Sequence, residues 1–145
     1  MLPSTARRVA WNTSGKVNAE IRHKTLRRIE RTMAEGELNT ALARLDREWD
    51  TERVLETNAA CLLLLSLGLG VAKDRRWLWI TGGVAAFLLQ HALQGWCPPL
   101  PVLRALGVRT AGEIGAERSA LKALRGDFDG VAGDPEAALR AAERE

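Results

Sequence analysis

Cysteine is scarce in this 145-residue chain: Cys61 and Cys97 are the only two, with no CxxC pair and no Cys/His cluster at metal-ligating spacing. Two thiols exclude a disulfide-stapled scaffold and offer no zinc-type site, so neither a metal nor a cofactor is expected. An apolar N-terminal run is also lacking, and a cleaved secretory signal is therefore not expected. Residues 1–19 instead carry Arg7, Arg8 and Lys16 without an acid, a composition shared with organellar transit peptides. No segment interleaves aromatic with basic side chains as a nucleic-acid groove would, and a net charge of +3 adds no argument for one.

The most informative absence is charge. Of 39 charged residues only four fall between Asn58 and Cys97, and these sit together as Lys73-Asp74-Arg75-Arg76. A soluble helical domain would spread its charges along amphipathic stripes. Here Thr57–Ala72 and Trp77–Leu103 are charge-free. The distribution argues for a small membrane protein with polar flanks and against a globular enzyme.

Five regions follow. Residues 1–15 read as a flexible leader and 16–57 as a polar amphipathic helical region. Residues 58–97 read as a transmembrane hairpin with spans near 55–72 and 77–96, followed by juxtamembrane amphipathic helices over 98–126 and a polar tail over 127–145. The expected fold class is all-α: a two-helix transmembrane hairpin flanked by amphipathic polar helices.

In the N-terminal region a helix is expected from Lys16 to about Ala34, closed by Gly36. Beyond it Leu38, Leu42, Leu45 and Trp49 recur at spacings of 4, 3 and 4, one narrow stripe on a helix. Such a stripe packs on a neighbouring helix or on a second copy. The alternative is an interfacial helix with Trp49 at headgroup depth, which the mixed charge of the other faces disfavours.

Read alone, the first charge-free window could be a buried soluble helix, since Asn58–Ala72 rises only about 22 Å. The second is more telling. Trp77–Trp96 rises about 30 Å, the thickness of the hydrocarbon core, and is bracketed by Trp77 and Trp79 at one end and Trp96 at the other. The short KDRR link permits only antiparallel neighbours. Ser66 and Gly70 on the first helix, with Gly82 and Ala86 on the second, are expected to let the backbones approach, or to pair two copies. Counting basic residues near the spans gives Arg44, Arg47, Arg53, Arg104 and Arg109 on the side of the termini against three in the link, which favours cytoplasmic termini.

Gln90, His91 and Gln94 place polar chemistry in the last turns of the second span, where ionisable groups mark function by default. For His91 a neutral, hydrogen-bonded imidazole near the headgroups is favoured over a proton relay. Cys61 and Cys97 fall on the same side of an antiparallel hairpin, but catalysis by Cys97 is disfavoured because His91, six residues back, points away on a helix. After the Pro98-Pro99-Leu100-Pro101 stop, Thr110-Ala111-Gly112-Glu113 has capping-box spacing, followed by Ile114, Leu121 and Leu124 on one face. Asp134-Pro135 signals a further helix start in a tail that is itself a candidate for partial disorder.

Two close spans ending in Gly95-Trp96-Cys97-Pro98, with Leu103, Leu106, Gly107 and Val108 beyond, resemble the YgaP-like inner-membrane domain family, of unknown function. The resemblance covers roughly residues 52–108 and departs in the extra residues around Pro99–Pro101. It implies a bacterial-type inner membrane, cytoplasmic termini and dimerisation through the hairpin. Some relatives carry a rhodanese domain, but the N-terminal third here reads helical and holds no Cys, so sulfurtransferase activity does not carry over.

The expected role is a non-enzymatic, membrane-anchored module for helix–helix interaction or assembly, with the lipid bilayer and further copies of itself as partners and no nucleic acid. The alternative is a small oligomeric transporter or channel component, for small sulfur species given the family context, with Gln90, His91 and Gln94 lining a passage. A soluble helical bundle is the third reading.

Overall fold

The computed structural model describes residues 4–143, and among them the chain is all-helical, with no strand. In chain order the helices are α1 (Thr5–Trp11), α2 (Gly15–Glu35), α3 (Leu38–Arg47), α4 (Thr51–Ala72), α5 (Leu78–Gln94), α6 (Leu100–Ala105), α7 (Ala111–Arg125) and α8 (Pro135–Glu143). Two compact units divide the chain. One comprises the residues up to Asn18 with Trp49–Ala111, the other Ala19–Glu48 with the residues from Gly112 onward.

In the first unit α4 begins at a side-chain cap: Asp50 Oδ1 accepts from the Arg53 amide at 2.7 Å. This cap also breaks the expected continuity with the preceding helix. α3 ends at Arg47, so Trp49 lies outside it and leaves the leucine stripe; its ring lies 4.5 Å from the Arg53 guanidinium carbon instead. Thr51, wholly buried, donates from both its amide (2.8 Å) and its hydroxyl (2.9 Å) to the Arg109 carbonyl. From there α4 runs 22 residues, about 33 Å. Asp74 Oδ1 accepts from the Arg76 amide at 2.8 Å and caps a 3₁₀ turn, Arg75–Trp77, that leads into the 17-residue α5.

α4 and α5 pack on each other through Ser66 and Gly70. Ser66 Oγ and Thr81 Oγ1 lie 2.8 Å apart, and a Cβ on Gly70 would stand 2.6 Å from Leu78 Cδ2. The partners on α5 are thus Leu78 and Thr81, not Gly82 and Ala86. Those two are exposed, and a Cβ on Gly82 would meet nothing. The correction is one of phase: the contact runs along Leu78 and Thr81, about 60° apart on α5, while Gly82 lies about 40° and Ala86 about 80° beyond Leu78 on the side away from Thr81.

The largest difference from expectation lies at the N-terminus. Residues 1–3 of the expected flexible leader lie outside the described residues, but the rest is ordered around α1. Seven residues make too short a helix to persist alone; tertiary contacts hold it. Val9 is buried with Leu55, Cys97 and Leu100. Arg8 Nη2 donates to the Ala92 carbonyl at 2.8 Å, and Asn12 Nδ2 to the Gln94 carbonyl at 3.0 Å.

Beneath this arrangement lies Arg104 of α6, 1% exposed. Its Nε donates to Thr13 Oγ1 (3.1 Å), Nη1 to the Val108 carbonyl (2.9 Å) and Nη2 to Asn18 Oδ1 (3.0 Å). The Thr13 hydroxyl in turn donates to the Val9 carbonyl, and Asn18 Nδ2 to the Ala10 carbonyl, both at 2.8 Å. One guanidinium therefore organises the chain from Val9 to Asn18.

The second unit packs Leu38, Leu42 and Leu45 of α3 onto Ile29, Ala41, Ile114 and Leu121, so the three leucines of the stripe find partners within their own unit. Leu124, expected on the same face as Ile114 and Leu121, is largely exposed. α2 stops at Gly36, whose φ of 72° supplies the left-handed turn. α7 begins one residue after Thr110, where the capping-box spacing places it. The Asp127 carboxylate accepts a bidentate fork from Arg125, at 2.8 and 2.6 Å, and these bonds hold the guanidinium above its ordinary pKa. Within the tail, Asp134 Oδ1 caps α8 by accepting from Glu136 and Ala137, each at 3.0 Å, and buried Lys122 donates to the Ala142 carbonyl at 2.6 Å. Residues 144 and 145 of the tail lie outside the described residues.

Arg104→Lys keeps the charge but loses the planar fork. It is expected to destabilise the protein in detergent by about 2 kcal/mol, and Arg104→Met by about 3 kcal/mol. Thermal melts read the loss, and trypsin should then cut at Arg7 and Arg8 well before the rest of the chain.

Candidate functional site

The first unit concentrates its chemistry where α4 begins and α5 ends. Two features meet there: a polar cluster contributed by α1, α4 and α5, and an apolar cavity between α4 and α5.

The polar cluster comprises Arg8, Glu52, Glu56 and His91. Arg8 is held over the end of α5 by its bond to the Ala92 carbonyl. Its approach depends on Gly95, which takes φ 71° and leaves no room for a side chain, since a Cβ would lie 2.4 Å from Arg8 Cβ. Glu52 is half-buried, and its Oε1 has no hydrogen-bond partner among the described residues. Burial, with Asp50 and Glu56 adding like charge, pushes its carboxyl above the ordinary value of 4.5, and Arg8 offsets this in part.

The cavity measures about 470 Å³ and is walled by Leu55, Ala59 and Leu62 of α4 and by Val84, Phe87 and Leu88 of α5. The Cys97-Pro98-Pro99 turn and Leu103 complete it at the end of α5. Of its lining side chains, Asn58 and His91 are the strongly polar ones, and Asn58 Nδ2 is engaged with the Val54 carbonyl at 2.8 Å. His91 is 7% exposed, and both ring nitrogens are buried without a hydrogen-bond partner among the described residues. Buried polar atoms are nearly always paired, so an imidazole with neither nitrogen satisfied calls for an explanation.

The other residues singled out in the sequence are scattered. Gln90 is half-buried and Gln94 exposed, and neither lines the cavity with His91. Cys61 is exposed on α4, whereas Cys97 is buried, and both are free thiols. A thiol buried among apolar side chains is inert rather than nucleophilic. Among the described residues no group of His, Cys, Asp and Glu could hold a metal ion. Sequence reasoning passed over Thr51, used Arg8 only as part of a basic N-terminal composition and Arg104 only as a charge near the membrane. The available signal was position: Arg104 is the first charge after the long uncharged run, a place where a cation must find partners or water.

The outer surface of this unit is strongly apolar. On α4, Leu62, Leu64, Leu65 and Val71 are half-exposed or more, and on α5 Trp79 and Leu89 are too. By length and composition one helix among the described residues, the stretch ending at Ala72, is apolar enough to cross a membrane, and little of it is buried. These features are those of a helix able to face lipid. Residues 50–113 match the family described as inner membrane protein YgaP-like, transmembrane domain, so the resemblance carried by Gly95-Trp96-Cys97-Pro98 holds over that segment. The matched segment nearly coincides with the main stretch of the first unit, Trp49–Ala111, whose two ends are tied by the Thr51–Arg109 bonds. No curated protein and no solved structure matches the chain.

Gly95→Ala must adopt a left-handed backbone and displace Arg8, so a loss of about 2 kcal/mol is expected in thermal melts. Glu52→Gln should act in the opposite direction. A carboxyl whose folded pKa is raised costs stability once pH exceeds its unfolded value. The variant should therefore melt higher than the parent at pH 7 and at the same temperature well below pH 4.5.

Proposed function

We propose that this chain is a non-enzymatic inner-membrane anchor and assembly module, in which α4 and α5 both span the bilayer as a hairpin and both termini are cytoplasmic. The observation that carries the reading is the exposure of long apolar side chains around α4 and α5, whose mutual contact buries only the Ser66–Gly70 face. Water would meet that surface unfavourably, and lipid would not. At 17 residues α5 reaches the lower limit for a span, and Trp77 with the preceding 3₁₀ turn extends it toward the interface.

The Ser66–Thr81 hydrogen bond supports this reading, because hydroxyl pairs bind helices where no hydrophobic force acts between them. Self-association belongs to the same proposal: Gly82 and Ala86 lie exposed on α5, where a second copy could approach closely. The second unit, rich in ion pairs such as Arg118–Asp46 and Arg28–Glu117, would be the part presented to water.

Carbonate washing of membranes from expressing cells tests the anchor. The protein is expected to stay with the membrane until detergent is added, and release by carbonate alone would overturn the proposal. A single-Cys variant labelled at the Lys73–Arg76 link should react with an impermeant maleimide from the periplasmic face only. Labelling from the cytoplasmic face would remove the hairpin or its orientation.

A further inference from the structure

We propose that the cavity between α4 and α5 binds a neutral amphiphile, an apolar chain bearing a hydroxyl head, with His91 as its hydrogen-bonding partner. The inference rests on the reading of both helices as membrane spans.

Three observations converge on it. A volume of about 470 Å³ lies within the ordinary range for small-molecule sites, and helix pairs are a usual place for them. Its walls carry no charged side chain. Near the imidazole, Glu56 and Arg8 contribute opposite charges, so a charged head would meet one unfavourable neighbour whichever its sign. Finally, His91 is more than nine-tenths buried, lines the cavity, and has neither ring nitrogen satisfied among the described residues. A neutral imidazole offers one donor and one acceptor, and a hydroxyl complements either.

The arrangement is also polarised as an amphiphile in a bilayer is. His91 lies one turn from the end of α5, on the side of the Cys97-Pro98-Pro99 turn. Leu88 and Val84 follow toward the middle of the span, about 4.5 and 10.5 Å further in, with Ala59 and Leu62 facing the same space. A head held at His91 therefore directs its chain toward the membrane interior. A free fatty acid or a cationic detergent would share the chain but bring a charge that the walls do not answer.

The test uses the full-length protein in phosphatidylcholine vesicles with a photoreactive hexadecanol, mapping the adduct by mass spectrometry. Labelling is expected at Ala59, Leu62, Val84 or Leu88, and excess hexadecanol should displace it while hexadecyltrimethylammonium does not. His91→Leu should weaken binding about tenfold, the loss of one or two hydrogen bonds, and Ala59→Phe, which fills the space, should abolish the cavity adducts. His91→Gln, which retains donor and acceptor, should recover part of the affinity. Adducts spread evenly over the outward face, equal labelling of the parent, His91→Leu and Ala59→Phe, or displacement by the cation as effective as by the alcohol would each overturn the proposal. Floating the vesicles in a density gradient reads membrane insertion separately. An inserted protein without cavity adducts defeats the site alone, whereas a protein that does not float defeats the membrane reading as well.

Discussion

A buried guanidinium has few acceptable environments, and the first unit is arranged around one. With Arg104 sealed from solvent, its donors must meet acceptors, because an ion removed from water costs several kcal/mol unless paired and hydrogen-bonded. The acceptors are the Thr13 hydroxyl, the Asn18 amide and the Val108 carbonyl. Those bonds bring the turn between α1 and α2 against α6, and α1 then reaches across to the end of α5. Gly95 is required by this geometry rather than by helix termination alone, since Arg8 Cβ, with the backbone beside it, occupies the place of its missing side chain.

The consequence reaches the cavity. Val9 and Leu100 close one side of the cluster that includes Leu55 and Cys97, and Leu55 and Cys97 also line the cavity. The same network therefore shapes the end of the cavity where His91 lies. α4 and α5 touch along a narrow seam defined by Ser66–Thr81 and by Gly70 against Leu78. These contacts lie toward the Lys73–Arg76 link, whereas the cavity lies toward the Cys97-Pro98-Pro99 turn. Cavity and close contact are thus opposite ends of one helix pair.

The polar second unit is held by a different balance. Its core is small, with Leu42, Leu45, Ile114 and Leu121 at the centre. Charged side chains make up much of the rest, and buried Glu117 is met by Arg28 at 3.4 Å. Ion pairs at the surface, such as Lys24–Glu20, contribute little each.

What the sequence by itself determined was the class, helices throughout with two charge-free apolar windows, and the starts and stops marked by Gly36, Thr110 and Asp134-Pro135. These are local signals, carried by propensity, capping chemistry and the separation of charge from apolar residues. The resemblance to a family came from the same local stretch. The tertiary structure alone decided which faces meet, and that α5 ends at Gly95, before Trp96. A rotation of 100° per residue separates Thr81 from Gly82, and composition does not choose between them. It also decided that residues 5–18 are ordered, because a seven-residue helix depends on a partner far along the chain, and that Trp49 lies outside the leucine stripe. His91 shows the division most plainly. Its position near the end of the second charge-free window was legible, but that its ring nitrogens are buried beside a cavity, with no partner among the described residues, follows only from how two helices and a proline turn come together.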